Sequence, residues 1–240
     1  SDDRIADRIL SGDIDPGNEP DMVDRKAGDL IHFSFIPFCQ GTVPWKYRFH
    51  YRLRKRKTQG CKGENAMRLY IVRHGETDWN RIHRVQGRTD IPLNDYGRRL
   101  ARETAEGMKE VRIDLGYTSP LLRAKETAQI ILADRGVPLY EDSRIEELSF
   151  GSYEGMRTGG EAKEPGSEAF NRFFTDTANY VPPQDAESIP QLYERTGKFL
   201  AEICEREDLK DRSILVSTHG AAMTALLNRI RGNLSVSEFW

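Results

Sequence analysis

The stretch LYIVRHGETDWN, residues 69–80, places an arginine and a histidine directly after an apolar run. The run has the length and composition of a buried strand, and the glycine behind it is typical of a turn. A second stretch, SILVSTHG at residues 213–220, repeats the pattern, because another apolar run leads into a histidine and a glycine. Ligands of open α/β sheets bind beyond the carboxyl ends of the strands. We therefore expect His74 and His219 to lie together at one edge of a sheet.

Strand and helix patterns alternate from residue 67 onward. We predict strands at 67–72, 114–118 and 213–218, and helices at about 94–110, 121–135, 189–205 and 221–231. Asn94 and Ser119 are residue types that cap helix N-termini, and we assign them as the caps of the first two helices. This alternation predicts an α/β fold: a three-layer α/β/α domain with a mostly parallel central sheet and helices on both faces.

The composition limits the classes of partner. Hydrophobic residues make up 38%, charged residues 31%, and the formal net charge is −2, so we expect no attraction to nucleic acid or to a membrane. No apolar stretch reaches the roughly 18 residues that span a bilayer. The acidic start SDDRIADR is unlike a signal peptide, which predicts a cytoplasmic protein. Cys39, Cys61 and Cys204 are odd in number and lack metal-ligand spacing, which favours reduced thiols.

The character of the chain changes near residue 67. Residues 1–66 combine an acidic opening with the basic run KYRFHYRLRKRK (46–57) and show no sustained helical or strand period. We interpret residues 1–66 as an N-terminal extension that need not belong to the natural domain, and residues 67–240 as the folded domain. In an alternative interpretation, the basic run with its aromatic residues binds nucleic acid or another acidic surface.

Six short blocks follow one another in the second part of the chain. They are RHGET (73–77), WN (79–80), QGRTDIPL (86–93), SPLLRAKETA (119–128), EELSFGSYEG (146–155) and STHG (217–220). In content and order they resemble the histidine phosphatase superfamily, in its phosphoglycerate-mutase-like branch, over residues 67–240. The resemblance implies a phosphoryl-transfer enzyme that works through a phosphohistidine, without a metal or another cofactor, on a small phosphorylated metabolite.

The resemblance also implies catalytic roles, and the chemistry of each residue suits its role. His74 is the expected nucleophile, a neutral imidazole whose tautomer is fixed by a hydrogen bond from its other nitrogen to a backbone carbonyl. Arg73 and Arg123 are expected to clamp phosphate oxygens, and His219, as an imidazolium, to stabilise the developing charge. Glu147 is the expected proton donor, with a pKa raised by partial burial above a dianionic substrate.

Three further residues complete the predicted substrate site. Asn80 and Gln86 match phosphate-contacting positions of the family, and hydrogen bonding within a loop is the alternative interpretation for both. Gly220, which follows His219, is included with them. We expect no metal site, since the sequence offers no carboxylate cluster suited to Mg²⁺.

The type of phosphoryl transfer depends on the second half of the domain. The short interval between Glu147 and His219, and the sequence LSFGSYEG after the acid, favour hydrolysis. A phosphoglycerate mutase and a catalytically silent phosphate-binding protein are the alternatives. Residues 157–188 are expected to cover the site. Their aromatic residues either pack this cover onto the body or line a pocket, and we favour packing; these residues are Phe170, Phe173, Phe174 and Tyr180.

The last residues depart from the pattern that the resemblance implies. Family members continue into a further strand, whereas this chain stops at LSVSEFW, so we expect a domain truncated at its C-terminal end, with reduced stability or a tendency to associate.

Overall fold

The computed structural model describes residues 67–240 together with two earlier strands, 30–35 and 49–54. The strands of these residues form one sheet in the order β1-β2-β3-β6-β4-β5. They are β1 (Leu30–Phe35), β2 (Phe49–Arg54), β3 (Arg68–Arg73), β4 (Leu115–Thr118), β5 (Leu139–Glu141) and β6 (Ser213–Thr218). The four strands from residue 67 onward are parallel, whereas β1 and β2 join antiparallel at the edge of β3. The prediction of a mostly parallel central sheet is confirmed.

The helices of residues 67–240 follow the sequence pattern closely. They are α1 (Asp78–Arg81), α2 (Asp95–Gly107), α3 (Leu122–Leu132), α4 (Ser167–Thr175), α5 (Ile189–Glu205) and α6 (Gly220–Arg231). The four predicted helices correspond to α2, α3, α5 and α6. Asn94 caps α2 as expected, accepting a hydrogen bond from the Gly97 amide at 2.8 Å. The cap assignment of Ser119 is wrong, because α3 begins later and has Leu121, without a side-chain cap, at its N-cap position.

Alternating side chains of β6 divide the core into two layers. Ile214 and Val216 pack on one face of the sheet against residues of α5 and α6. Leu215 points to the other face, where Ile131 and Leu132 of α3 cover it. All of these residues are buried, and successive residues of a strand face opposite sides of its sheet. The predicted three-layer α/β/α architecture, with helices on both faces, is confirmed.

The strand register brings the predicted site residues to one edge. Arg73, the last residue of β3, pairs with Thr218, the last residue of β6. The His74 amide donates to the Thr218 carbonyl at 2.9 Å, and the Ser119 amide after β4 donates to the Ser217 carbonyl at 3.0 Å. Three parallel strands therefore end at the same level.

A glycine directly after His74 lets the chain pass close to α2. A Cβ atom on Gly75 would lie 2.5 Å from the Gly97 carbonyl oxygen, and one on Gly97 would lie 2.1 Å from the Glu76 carbonyl oxygen. Such contacts are too short for any side chain. The two glycines therefore allow the loop after β3 to rest on the first turn of α2, which fixes the direction in which His74 leaves the strand.

Several expectations concern residues that the structure describes only in part or not at all. Cys39, Cys61 and most of residues 1–66 lie outside the described residues, and only the β2 part of the basic run is described. The division of the chain at residue 67 and the nucleic-acid alternative therefore stay predictions. Within the described ranges, no helix is long and apolar enough to cross a membrane.

Candidate active site

Both ring nitrogens of His74 have hydrogen-bond partners. Its side chain is buried, and Nδ1–H donates to the Gly75 carbonyl at 2.6 Å. This is the backbone hydrogen bond expected from the sequence. It leaves the lone pair on Nε2, which accepts a hydrogen bond from Arg123 Nε–H at 3.3 Å. A neutral imidazole with its lone pair on Nε2, at the wall of a cavity, is the arrangement that a histidine nucleophile needs.

The surroundings keep this ring neutral. Burial lowers the pKa of His74 well below its usual value, and the positive charges of Arg123 and Arg73 lower it further, whereas the hydrogen bond to Gly75 opposes them. Desolvation and like charge both disfavour an imidazolium. His74 is therefore unprotonated at neutral pH and ready to act as a base or nucleophile.

His219 lies beside His74. The ring centroids of the two histidines are 5.1 Å apart; His219 is fully buried, and its Nε2 is hydrogen-bonded to Ser119 Oγ at 2.8 Å. Burial, followed by the charge of Arg123, lowers its pKa well below the usual value, which favours the neutral ring. The charge of a phosphate dianion would oppose this effect, so the imidazolium expected during phosphoryl transfer stays a prediction.

Arg123 reaches His74 from the first turn of α3. Its side chain is fully buried, and its guanidinium donates from Nη1 to the Thr89 carbonyl at 2.9 Å and from Nη2 to the Gly87 carbonyl at 2.6 Å. These bonds use one N–H of each terminal nitrogen and leave the other N–H of each for a ligand. Arg73, by contrast, is exposed at the wall of the cavity.

Glu154 holds the loop of residues 86–89, whose carbonyls bind Arg123. One carboxylate oxygen accepts from the amides of Arg88 and Phe150, both at 3.0 Å. The other accepts from the amide and the hydroxyl of Thr89, at 2.8 and 2.6 Å. Gly87 has a φ of 53°, and a Cβ atom there would lie 2.1 Å from Glu154 Oε1. The loop therefore requires both the glycine and the carboxylate.

Asn80 and Gln86 meet at one buried hydroxyl. Thr77 Oγ1 lies 2.9 Å from Gln86 Oε1 and 3.1 Å from Asn80 Oδ1. Asn80 Oδ1 also accepts from the Thr77 amide, which completes a capping box at α1. Their oxygens are thus used within the loop, as the alternative interpretation states, whereas both residues also line the cavity. Phosphate contact through their amide groups stays a prediction.

Glu147 binds the N-terminus of α6. Its Oε1 accepts from the amides of Leu148 and Ala222, at 3.0 and 3.1 Å, and its Oε2 accepts from the Ala221 amide at 3.3 Å. A Cβ atom on Gly220 would lie 3.5 Å from Glu147 Oε2 and 3.7 Å from Arg73 Cζ. The absence of a side chain at Gly220 therefore leaves room between the acid and the arginine.

A cavity of about 750 Å³ opens over these residues. Among the described residues, its walls carry most of the predicted site. They include Arg73, His74, Asn80, Gln86, Arg123, Glu147 and Gly220. His219 lies beneath the wall, fully buried. No cluster of metal-ligating side chains occurs in the described ranges, and the charged side chains that act on His74 are those of Arg123 and Arg73.

The aromatic residues of the covering segment both pack and line the cavity. Phe170 and Phe173 are buried in one hydrophobic cluster, and Tyr180 packs against it. Phe174 is 48% exposed. Phe170, Phe173 and Phe174 also line the cavity, together with Trp240. The packing that we favoured and the pocket lining that was the alternative therefore both occur.

Some residues of the site were not identified from sequence. Thr77, Ser119 and Glu154 lie inside the quoted blocks, so the blocks themselves were the signal that could have found them. Glu187 and Arg195 lie outside every block, and no pattern in the sequence marks them.

Comparisons with known proteins agree with this site. The family model of the histidine phosphatase superfamily (branch 1) matches residues 69–240. The chain is 40% identical to the uncharacterised phosphatase PhoE of Bacillus subtilis over 162 residues, which are 68% of this chain and 76% of that protein. It is 37% identical to phosphoglycerate mutase-like protein 4 of Arabidopsis thaliana over 165 residues, 68% of this chain and 70% of that protein.

Solved structures show the same fold. The structure of Bacillus stearothermophilus YhfR superposes with a TM-score of 0.64 at 32% identity, covering 72% of this chain and 83% of that one. A mycobacterial glucosyl-3-phosphoglycerate phosphatase superposes with a TM-score of 0.62 at 29% identity, covering 72% of this chain and 86% of that one. From its fold, its site and these similarities, the chain belongs to the histidine phosphatase superfamily.

Proposed function

We propose that this chain is a metal-independent phosphomonoester hydrolase that acts through a phosphohistidine at His74 on a small phosphorylated metabolite. The observation that carries the proposal is the geometry of His74, whose Nδ1–H is bound to the Gly75 carbonyl while its Nε2 faces Arg123 at 3.3 Å. The nucleophile thus lies next to the cation that would hold the phosphate. Relatives named as phosphatases support the same class of reaction.

The proposed first step transfers the phosphoryl group to the enzyme. His74 Nε2 forms a bond to phosphorus while the bond between phosphorus and the ester oxygen breaks, and Glu147 gives a proton to the leaving oxygen. Arg73 and Arg123 hold the equatorial oxygens, whose charge they offset. His219 becomes a donor once the dianion is bound. Because protein cations supply the positive charge, no metal is needed for this step.

The proposed second step returns the enzyme to its starting state. A water molecule attacks phosphorus and gives its proton to Glu147, the bond between phosphorus and His74 Nε2 breaks, and inorganic phosphate leaves. The imidazole is again neutral and Glu147 again carries a proton. Residues 67–240 contain every group that this cycle uses, so we propose them as the catalytic unit. The cytoplasmic location stays a prediction.

Trapping the intermediate tests the mechanism. After incubation with p-nitrophenyl phosphate and rapid quenching, we expect an acid-labile, base-stable phosphate on His74, and none in His74→Ala. EDTA should leave the rate of hydrolysis unchanged. Full activity in His74→Ala, or loss of activity with EDTA, contradicts the proposal.

The mutase alternative is supported by the name of the Arabidopsis relative. A mutase must keep its phosphohistidine away from water and return the phosphate to a bound sugar acid. We expect inorganic phosphate to be released from several small monoesters, without a requirement for 2,3-bisphosphoglycerate. Interconversion of phosphoglycerate isomers faster than phosphate release would favour the mutase. No phosphate release from any monoester, without isomerisation, would favour a catalytically silent phosphate-binding protein.

A further inference from the structure

One guanidinium supports the backbone around the proposed acid. Arg195, on α5, donates from Nη1 to the carbonyls of Arg144 and Glu146, both at 2.8 Å. Its Nη2 donates to the carbonyl of Glu147 at 3.0 Å. Residues 144–147, which we call the acid loop, run from a short 3-10 helix into irregular chain. Arg195 thus supplies the backbone partners that regular structure would otherwise supply.

Glu187 orients that guanidinium. Arg195 Nε donates to Glu187 Oε1 at 2.6 Å and Nη2 donates to Oε2 at 2.8 Å, a bidentate pair with side-chain exposures of 15% and 11%. Together with the three carbonyl contacts, this uses all five N–H groups of Arg195. The Glu187 backbone amide also donates to the Ser149 carbonyl at 2.9 Å. The pair therefore joins the start of α5 to the chain on both sides of Glu147.

Arg195 does not line the cavity that holds His74. A second arginine, Arg88, reaches the same loop, with contacts of 3.4 Å to the Glu147 carbonyl and 3.3 Å to the Glu146 carboxylate. Arg88 is 42% exposed, so water competes for its contacts. Arg195 and Glu187 make the shorter and less exposed bonds, and they act on Glu147 through its own main chain.

We propose that Arg195, oriented by Glu187, is a positioning residue that holds Glu147 in place to protonate the leaving oxygen. The inference rests on the proposed function, in which Glu147 is the proton donor. It assigns Arg195 to one part of the reaction: Arg195 supports leaving-group protonation and contributes little to phosphate binding. A general acid must lie within hydrogen-bond reach of the atom it protonates, so a loosened acid loop weakens that step.

Substrates whose leaving groups differ in acidity separate an effect on leaving-group protonation from an effect on phosphate binding. Phenolate leaves poorly without a proton, whereas p-nitrophenolate leaves readily, so a defect in the acid slows phenyl phosphate much more than p-nitrophenyl phosphate. For Arg195→Gln we expect kcat/KM, which reports the step in which the leaving group departs, to fall about 30-fold with phenyl phosphate and about 3-fold or less with p-nitrophenyl phosphate. Arg195→Lys keeps the charge but lacks the planar fork, and should show the same pattern at intermediate size.

The double variant tests whether Arg195 acts through Glu147. In kcat/KM, Glu147→Gln alone should show the strongest dependence on the leaving group, and adding Arg195→Gln should lower kcat/KM with phenyl phosphate by no more than about 2-fold further. Glu187→Gln is an independent probe should Arg195→Gln fail to fold, because it removes the orienting charge and keeps the shape. We expect Glu187→Gln to slow phenyl phosphate more than p-nitrophenyl phosphate, as Arg195→Gln does.

Arg144→Gln is the matched control. The Arg144 side chain, in the same loop, pairs with Asp142 and Glu202 and does not contact Glu147. Arg144→Gln should slow the hydrolysis of both substrates slightly and by the same factor. Equal losses with both substrates in Arg195→Gln, or losses that add to those of Glu147→Gln, overturn the positioning role while the proposed function stands. If Glu147→Gln loses the same factor with both substrates, the positioning role and the proposed function are both overturned.

Discussion

The two ends of the site are built by different kinds of contact. At the phosphate end, formed by Arg73, His74, Arg123 and His219, three parallel strands stop at one level and backbone hydrogen bonds fix the first residue after each. At the acid end, residues 143–155, two 3-10 helices and irregular chain surround Glu147. There the backbone is bonded to charged side chains, chiefly Glu154 and Arg195.

This difference predicts different consequences of substitution. Arg73, at the phosphate end, is exposed, and the backbone pairing of β3 with β6 does not depend on its side chain. Glu154 and Arg195, at the acid end, each bond several backbone groups, and leaving such groups unsatisfied costs about 1–3 kcal/mol each when they are buried. We therefore expect substitution of Arg73 to change activity without stability, and substitution of Glu154 to change both.

Removing Arg73 should have the largest effect. Arg73→Ala deletes a cation at the cavity wall and should lower kcat/KM by about 10²- to 10³-fold, the loss typical of one contact to a developing oxyanion. Its exposure predicts an unchanged midpoint of thermal unfolding. Steady-state kinetics with p-nitrophenyl phosphate and a melting curve measure the two quantities.

Arg68→Ala is the control for charge on the same strand, since Arg68 begins β3 and Arg73 ends it. It should leave kcat/KM unchanged. Similar kinetic losses in both variants would mean that the net positive charge of the strand matters, and not the position of Arg73 at its end.

Glu154→Gln tests the prediction for the acid end, where stability and activity should fall together. The amide group cannot accept all four hydrogen bonds that the carboxylate accepts, so the loop of residues 86–89 should loosen and Arg123 with it. We expect a loss of about 1–3 kcal/mol in the free energy of unfolding and about a 10-fold fall in kcat/KM. Urea unfolding and kinetics measure them.

Glu164→Gln provides the comparison, because the Glu164 side chain accepts from the exposed Arg157 amide. Its unfolding free energy should change by less than about 0.5 kcal/mol. If Glu154→Gln loses activity with no loss of stability, the carboxylate acts on the substrate directly and the loop is fixed by other contacts.

The same difference explains what could be predicted from sequence. Strand-end histidines are visible because an apolar run, a histidine and a glycine are neighbours in the chain, and the resemblance then adds Arg73 and Arg123. Alternation of strands and helices gave the layers correctly. The strands β1, β2 and β5 and the helices α1 and α4 were missed. With three and four residues, β5 and α1 are too short to show a period, and α4 follows a Gly- and Pro-bearing segment. The other two strands lie in the part of the chain where the sequence shows no sustained period.

Long-range polar contacts have no comparable signature. The bonds from Arg195 to the acid loop span 48 to 51 residues. The helix that carries Arg195 was predicted, but a helical period does not say which of its polar residues turns toward a distant carbonyl. The lowered pKa of His219 could not be read from the sequence for a related reason, because burial and the charge of Arg123 act on this ring only in the folded environment.

The pH dependence of stability should report both buried histidines. The pKa values of His74 and His219 are lowered in the folded state, so the unfolded chain binds protons first as the pH falls below about 6.5. Stability is therefore full above that pH and is lost progressively below it. We expect the unfolding free energy to fall as the pH is lowered from 7 to 5.5. This fall should be smaller in His219→Gln, as urea unfolding at each pH would measure.

Activity, like stability, should fall as the pH is lowered. Because the lowered pKa keeps His74 neutral in mildly acidic solution, the acidic limb of the kcat/KM profile should lie below pH 6.5. A limb at or above that pH would contradict a neutral nucleophile held by burial and neighbouring arginines.

The smallest expected effects come from two helix caps, one at each end of the site. Asn94 caps α2 beside the loop of His74, and Ser188 caps α5 directly after Glu187. Asn94→Ala and Ser188→Ala should each cost about 1 kcal/mol of unfolding free energy.

The two variants should differ in their kinetics. In the first, Asn94→Ala, His74 keeps its backbone bond to β6, so the activity of that variant should not change. In the second, a looser first turn of α5 should disturb Glu187 and slow phenyl phosphate about 2-fold, with no change for p-nitrophenyl phosphate. Equal kinetics in the two variants, measured at matched stability, would mean that the start of α5 does not influence the acid.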